Sequence, residues 1–318
     1  MTVIEPSGET VPVFDSSDAA DDAVILYTSE GQKALIVGTN KRRGLELYNL
    51  TGTRVGYINT GRLNNVDAKQ GDAPGIFLLA ASNRTTNTID IFKADIINET
   101  ITLIASYALT IQEPYGLCVS PKWIFVGNKE GIVQMWAWDG RGPVSELTFA
   151  SQTEGCVVDR TQQSLYVGEE NHGIWKAKIR GESLEPPHLF KGLETSSMLV
   201  ADIEGLDIYY SDQGNALFAS SQGDNSYVAY NLDTGKLLSK FYIVDTTKSK
   251  IDGTSDTDGI SIFSSALPGF PAGILVVQDG FNTNAQGKPE NQNFKIIDMA
   301  DIKIHFTKYA KTIKHDSD

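Results

Sequence analysis

Six short apolar runs, each closed by small or polar residues, recur along the chain: "ALIVGTNK" at 34–41, "FLLAASNR" at 77–84, "WIFVGNKEG" at 123–131, "SLYVGEEN" at 164–171, "ALFASSQG" at 216–223 and "GILVVQDG" at 273–280. With Val37, Ala80, Val126, Val167, Ala219 and Val276 taken as equivalent, the intervals are 43, 46, 41, 52 and 57 residues. That period is the length of a propeller blade. Before each run stands a polar or acidic start leading into an apolar strand: "DDAVIL" at 21–26, "NNVDAK" at 64–69, "YGLCVS" at 115–120, "EGCVVD" at 154–159, "EGLDIYY" at 204–210 and "DGISIF" at 258–263. After each comes a strand of alternating character, among them "GLELYNL", "GIVQMWAW" and "NFKIIDM".

Three strands per unit with room for a fourth, six times over, predict an all-β six-bladed propeller of four-stranded antiparallel blades around a channel. A single such domain spanning 1–318 is expected, ordered over about 9–305, with 306–318 frayed. Ring closure needs the two ends to meet in one sheet, and "ETVPVF" at 9–14 is the candidate to complete the blade holding 258–297. Helical periodicity is confined to 298–303. The WD40 signature is missing, so the repeat does not suggest a WD-type scaffold.

A net charge of −13 and a pI near 4.8 leave no basic footprint for nucleic acid. No apolar run is long enough for a membrane span, and the opening residues lack the basic and apolar regions of a signal peptide. Cys118 and Cys156 lie in apolar settings without metal-ligand spacing and read as buried free thiols. There is no G-x-S-x-G elbow, Walker loop or zinc pattern. The four histidines, 172, 188, 305 and 314, form no shared motif.

"DGTSDTDG" at 252–259 holds Asp252, Asp256 and Asp258 with no Lys or Arg inside the stretch. Like charges this close need a positive partner, and a hard cation such as Ca²⁺, which takes six to eight oxygens, would serve. The propeller gives these acids company. Innermost strands begin at one channel mouth, so Asp22, Asn65, Tyr115, Glu154, Glu204 and Asp258 should form a ring, with Lys41, Arg84, Lys129, Glu170 and Gln222 on its rim. Carboxylates beside cations from three blades suit a metal-bridged phosphate ester.

At this point the chain resembles the β-propeller phytases, calcium-dependent enzymes that remove phosphates from inositol hexakisphosphate. The resemblance runs over about 18–297 and is carried by "DAADDA", "TNKRRGLELY", "GRLNNVD", "AASNR", "GNKEG", "QTEGCVVD", "DIEGLDIYY", "ASSQGDNSY", "DGTSDTDGI" and "NQNFK". It departs at 21–26, where the family's Asp-Asp-Pro-Ala-Ile-Trp is Asp21-Asp22-Ala23-Val24-Ile25-Leu26, and at Lys69, where an Arg is usual. The first departure predicts altered packing in blade one.

The resemblance implies that Asp21, Asp22, Asp67, Glu154, Glu170, Asp202, Glu204, Asp252 and Asp258 hold several Ca²⁺ ions, with Asp256 and the amides of "NQN" as weaker candidates. It implies that Lys41, Arg84, Tyr115 and Lys129 grip phosphate, and that a carboxylate such as Glu170 positions an attacking water. The function so implied is phytate hydrolysis by a monomer, secreted or periplasmic. The alternatives are a non-catalytic, Ca²⁺-stabilised propeller that binds phosphorylated or sugar ligands, and a lactonase-type hydrolase, which would not need the three cations.

Overall fold

A computed structural model describes residues 2–28, 32–194 and 197–302. Six antiparallel sheets form a ring, as the repeat predicts. Blade one is built from Ala20–Tyr27, Ala34–Asn40, Gly44–Asn49 and Arg54–Asn59. Each following blade repeats that order outward from the channel, with innermost strands at Leu63–Gln70, Pro114–Val119, Thr153–Asp159, Ile203–Tyr209 and Ile260–Phe263.

The second and third strands are apolar on both sides because both sides are buried. Along Ala34–Asn40, Leu35 and Val37 pack into a wedge shared with Leu79 and Phe92 of blade two. Ala34 and Ile36 face the other way, against Val276 and Phe294 of blade six. Successive side chains of a strand point to opposite faces, so each blade feeds two wedges and the core is a ring of six rather than one central mass. The altered first motif sits in this scheme, with Ala23 in the wedge toward blade six and Leu26 in the wedge toward blade two.

The seam closes where expected but over a shorter ladder. Gly8 and Glu9 pair with Ile296 and Lys295 as the outer strand of blade six. Thr10 N–H then donates to the Phe294 carbonyl at 2.8 Å and Val13 N–H to that of Gln292 at 2.9 Å. The sequence did not announce a second clasp: Thr2–Ile4 adds to blade five in parallel with Phe241–Ile243, burying Ile4. In blade four the outer strand is divided into Ser183–Leu184 and His188–Gly192 around Pro186 and Pro187, which lack the N–H a ladder needs. Residues 299–302 are helical, as read; 303 and the tail at 306–318 lie outside the described residues. Among those described, no helix is long and apolar enough to cross a membrane.

One expectation is overturned. Cys118 and Cys156 are joined in a disulfide, with Cα atoms 5.6 Å apart. Their apolar neighbours reported the burial of Cys118, while Cys156 is only partly buried, and pairing depends on the ring, which sets the innermost strands of blades three and four side by side.

Candidate active site

Five innermost strands carry the same irregularity near their start. Register shifts between Ala20 and Ala23, Leu63 and Val66, Pro114 and Leu117, Thr153 and Cys156, and Ile203 and Leu206 each leave one residue unmatched by the neighbouring strand. Such bulges bend a strand and re-aim its side chains. The residues inside them are Asp21 and Asp22, Asn64 and Asn65, Tyr115, Glu154 and Glu204. The recurring glycine after the polar start has a steric cause: a Cβ on Gly116 would lie 1.8 Å from the Glu154 carbonyl oxygen, and one on Gly155 equally close to that of Glu204. Only glycine lets adjacent blades touch here.

Carboxylate oxygens of Glu154, Glu170 and Glu204 all lie within 4.8 Å of one another. Asp21, Asp22, Glu154 and Glu204 are buried. Burial, reinforced by Glu204, raises Glu154 well above the usual carboxylate range; burial raises Glu204 to about 8; and burial, with Asp21 adding repulsion, raises Asp22 and Asp258. Glu204 Oε2 is buried with no hydrogen-bond partner. An oxygen-only donor set, enclosed, mutually repelling and with an orphaned oxygen, fits a hard divalent cation.

Cations flank these acids. Lys41 Nζ lies 2.6 Å from Asp18, 2.9 Å from Asp21 and 3.0 Å from Asp258. Burial works to lower the Lys41 pKa, but the three carboxylates outweigh it and hold the ammonium charged. Two more cations lie over the Tyr115 ring, with Lys129 Nζ 4.5 Å and the Arg84 guanidinium carbon 5.4 Å from its centre. Burial and the charge of Glu154 push its hydroxyl up, so the phenol stays protonated. Glu170, half-buried, accepts a hydrogen bond from Gln152 and is raised by burial.

The ring therefore brings together Asp21, Asp22, Lys41, Arg84, Tyr115, Lys129, Glu154, Glu170, Glu204 and Asp258, with Asp202 near enough to Glu170 to act on its charge. Two predicted ligands stand elsewhere. Asp67 is further along its strand, facing the channel, where its carboxylate accepts from the N–H groups of Ala68 and Val119 at 2.7 Å each. Asp252 belongs to a neighbouring cluster centred on Lys295, a fully buried lysine that also reaches Glu9 at 2.7 Å, Asn282 Oδ1 at 3.0 Å and Asp279 at 3.3 Å. The charge in "DGTSDTDG" is thus answered by lysines distant in sequence, Lys295 for Asp252 and Lys41 for Asp258, while Asp256 turns to solvent at a φ of 50°.

Sequence reading missed Lys295, Glu9 and Asp279, because nothing local links them. It also missed Asn64, whose signal was its place beside Asn65 in "NNVD".

The sequence pattern of the phytase family matches residues 1–317. The chain belongs to the phytase family. As a phytase it is an enzyme, and the acid-and-cation ring is the candidate for its active site. A 3-phytase of Bacillus subtilis (strain 168) is 37% identical over 327 residues, an alignment covering 93% of this chain and 84% of that protein. A computationally designed protein, Ika8, solved by crystallography, is similar at a TM-score of 0.46 and 12% identity, covering 86% of this phytase and 72% of the designed chain.

Proposed function

We propose that this phytase releases phosphate from phytate, inositol hexakisphosphate, in a Ca²⁺-dependent reaction at the mouth of the propeller channel. The observation that carries the reading is the adjacency of two opposite groups: the Glu154, Glu170 and Glu204 oxygens, and the Arg84–Tyr115–Lys129 stack. The curated 3-phytase relative supports the substrate. Carboxylates alone would repel a polyphosphorylated ring, and cations alone would not explain two buried glutamates and a half-buried third.

Glu154, Glu170 and Glu204, with Asp21, Asp22, Asp202 and Asp258 around them, would hold Ca²⁺, which when bound neutralises phosphate charge and makes a bound water more acidic. Arg84 and Lys129 bind non-bridging oxygens of the phosphate, and the Tyr115 ring fixes the spacing between them. Lys41 offsets the charge that builds on the transferring group. Glu170 holds the attacking water through one of its protons. The water oxygen bonds to phosphorus as one of its protons passes to Glu170, the ester P–O bond breaks, and the leaving inositol oxygen takes up a proton from solvent water to become a hydroxyl.

The disulfide supports residence in an oxidising compartment, secreted or periplasmic, and the enzyme is proposed to act as a monomer. Release of phosphate from phytate by the wild type and by a Lys41→Ala, Lys129→Ala double variant tests the reading. Turnover that collapses in the double variant is expected. A folded, Ca²⁺-loaded wild type that binds phytate without hydrolysing it would instead be a binding propeller.

A further inference from the structure

Asn64 is completely buried at the centre of the ring, and its side-chain amide faces two ways. The nitrogen, Nδ2, shares its two hydrogens among three acceptors, Asp21 Oδ2 at 2.9 Å, Glu154 Oε1 at 3.0 Å and Asn65 Oδ1 at 3.0 Å. The oxygen, Oδ1, accepts from Arg84 Nη1 at 3.2 Å. A side-chain amide has one donating and one accepting end. Three oxygens on the nitrogen side, two of them carboxylates, leave one orientation open, with the carbonyl toward Arg84. Asp21 comes from blade one, Glu154 from blade four, and Asn64 and Arg84 from blade two. One neutral residue thus touches acids from two other blades and a cation of the phosphate stack.

We propose that Asn64 is a positioning residue for phosphate recognition: the acid ring fixes its amide, and the amide fixes Arg84 against the Tyr115 ring. Arg84 has no carboxylate partner among the described ion pairs. The Asn64 contact therefore restrains the guanidinium without neutralising it, and it stays free to meet an anion. Aspartate in place of Asn64 would hold Arg84 more tightly but would spend its charge and repel Asp21 and Glu154. A neutral amide does both tasks.

This inference rests on the phosphate-ester reading of the site. It is tested by a double-mutant cycle on Asn64→Ala and Arg84→Ala, read in two ways at saturating Ca²⁺. The first reading is the kcat and KM of phytate hydrolysis. The second is calorimetric binding of inositol hexasulfate, a polyanion that this chemistry does not turn over as a phosphate ester. Each single variant is expected to weaken hexasulfate binding about tenfold, the scale of a hydrogen bond to a charged group. KM should rise more than kcat falls, and the double variant should bind no worse than Arg84→Ala alone.

Asn64→Ser, which keeps a hydroxyl donor but is too short to reach Arg84, should repeat the loss and guards against a folding defect in the alanine variant. Losses that multiply in the double variant, wild-type binding by a folded Asn64→Ala, or failure of both Asn64 variants to fold would each overturn the proposal. Hexasulfate binding with the expected non-additivity but no phytate turnover would sink the hydrolytic reading and leave the Asn64 assignment standing.

Discussion

Lys41 Nζ donates to Asp258 Oδ2 at 3.0 Å across 217 residues of sequence, joining the rim of blade one to the mouth of blade six. The same ammonium meets Asp21 at 2.9 Å, so one lysine offsets repulsion between acids of two blades. Replacing it by Met removes the charge and keeps much of the stem. Breaking a buried pair on one side costs about 3 kcal/mol or more. Lys41→Met is therefore expected to melt well below the wild type in EDTA, and the gap should narrow when Ca²⁺ supplies positive charge to the same acids. Calorimetric melting of both proteins in both buffers checks this, and an equal gap in the two buffers would contradict it.

The Cys118–Cys156 bond ties the strand that carries Tyr115 to the strand that carries Glu154. It closes a loop of 38 residues. Chain-entropy reasoning gives such a closure about 4 kcal/mol. Thiol titration of the unfolded, unreduced protein should find no free thiol, and a Cys118→Ser, Cys156→Ser variant should lose stability on that scale. Two reactive thiols in the oxidised preparation would contradict the assignment.

If Tyr115 acts through its ring, which meets Arg84 and Lys129, the hydroxyl is dispensable and the ring is not. Tyr115→Phe should keep KM for phytate within about twofold of the wild type, while Tyr115→Ala should raise it about tenfold as two cation–π contacts are lost. Steady-state kinetics separate the two. Equal damage from both substitutions would reassign the role to the hydroxyl.

Further along the channel, Asp207 accepts from the N–H of Ile208 at 2.7 Å and of Ile262 at 2.6 Å, yet burial raises it to about 7 from an ordinary 3.8. The folded state then holds this proton more tightly than the unfolded chain. Its contribution to stability is greatest below pH 4 and is lost as pH rises toward 7. The melting temperature of Asp207→Asn minus that of the wild type should accordingly become more positive between pH 4 and pH 8. A difference that is flat or falls with pH would contradict the assignment.

The fold was legible because each blade must bury both faces of its middle strands, and that requirement writes the same apolar run six times. The ring of site residues followed from it, since Glu154 and Glu204 occupy equivalent places in "EGCVVD" and "EGLDIYY". What stayed hidden depends on which blades become neighbours and how deep a side chain reaches. Cys118 finds Cys156 only through the contact between blades three and four. Lys295 finds Glu9 only because Gly8–Glu9 pairs with Asn293–Asp298 in blade six. Asp67 shares a strand with Asn64 and Asn65, but it lies beyond the bulge and faces the channel, so its carboxylate meets a neighbouring backbone rather than the acid ring.

Phosphate release from phytate, followed as free Ca²⁺ is restored to EDTA-treated protein, tests the central claim most directly when the wild type is set beside a Glu154→Gln, Glu204→Gln variant. The account predicts negligible release in EDTA, recovery to a plateau with Ca²⁺ in the wild type, and at least about a hundredfold loss in a variant that remains folded. Undiminished release in EDTA, or full activity in the variant, would contradict it.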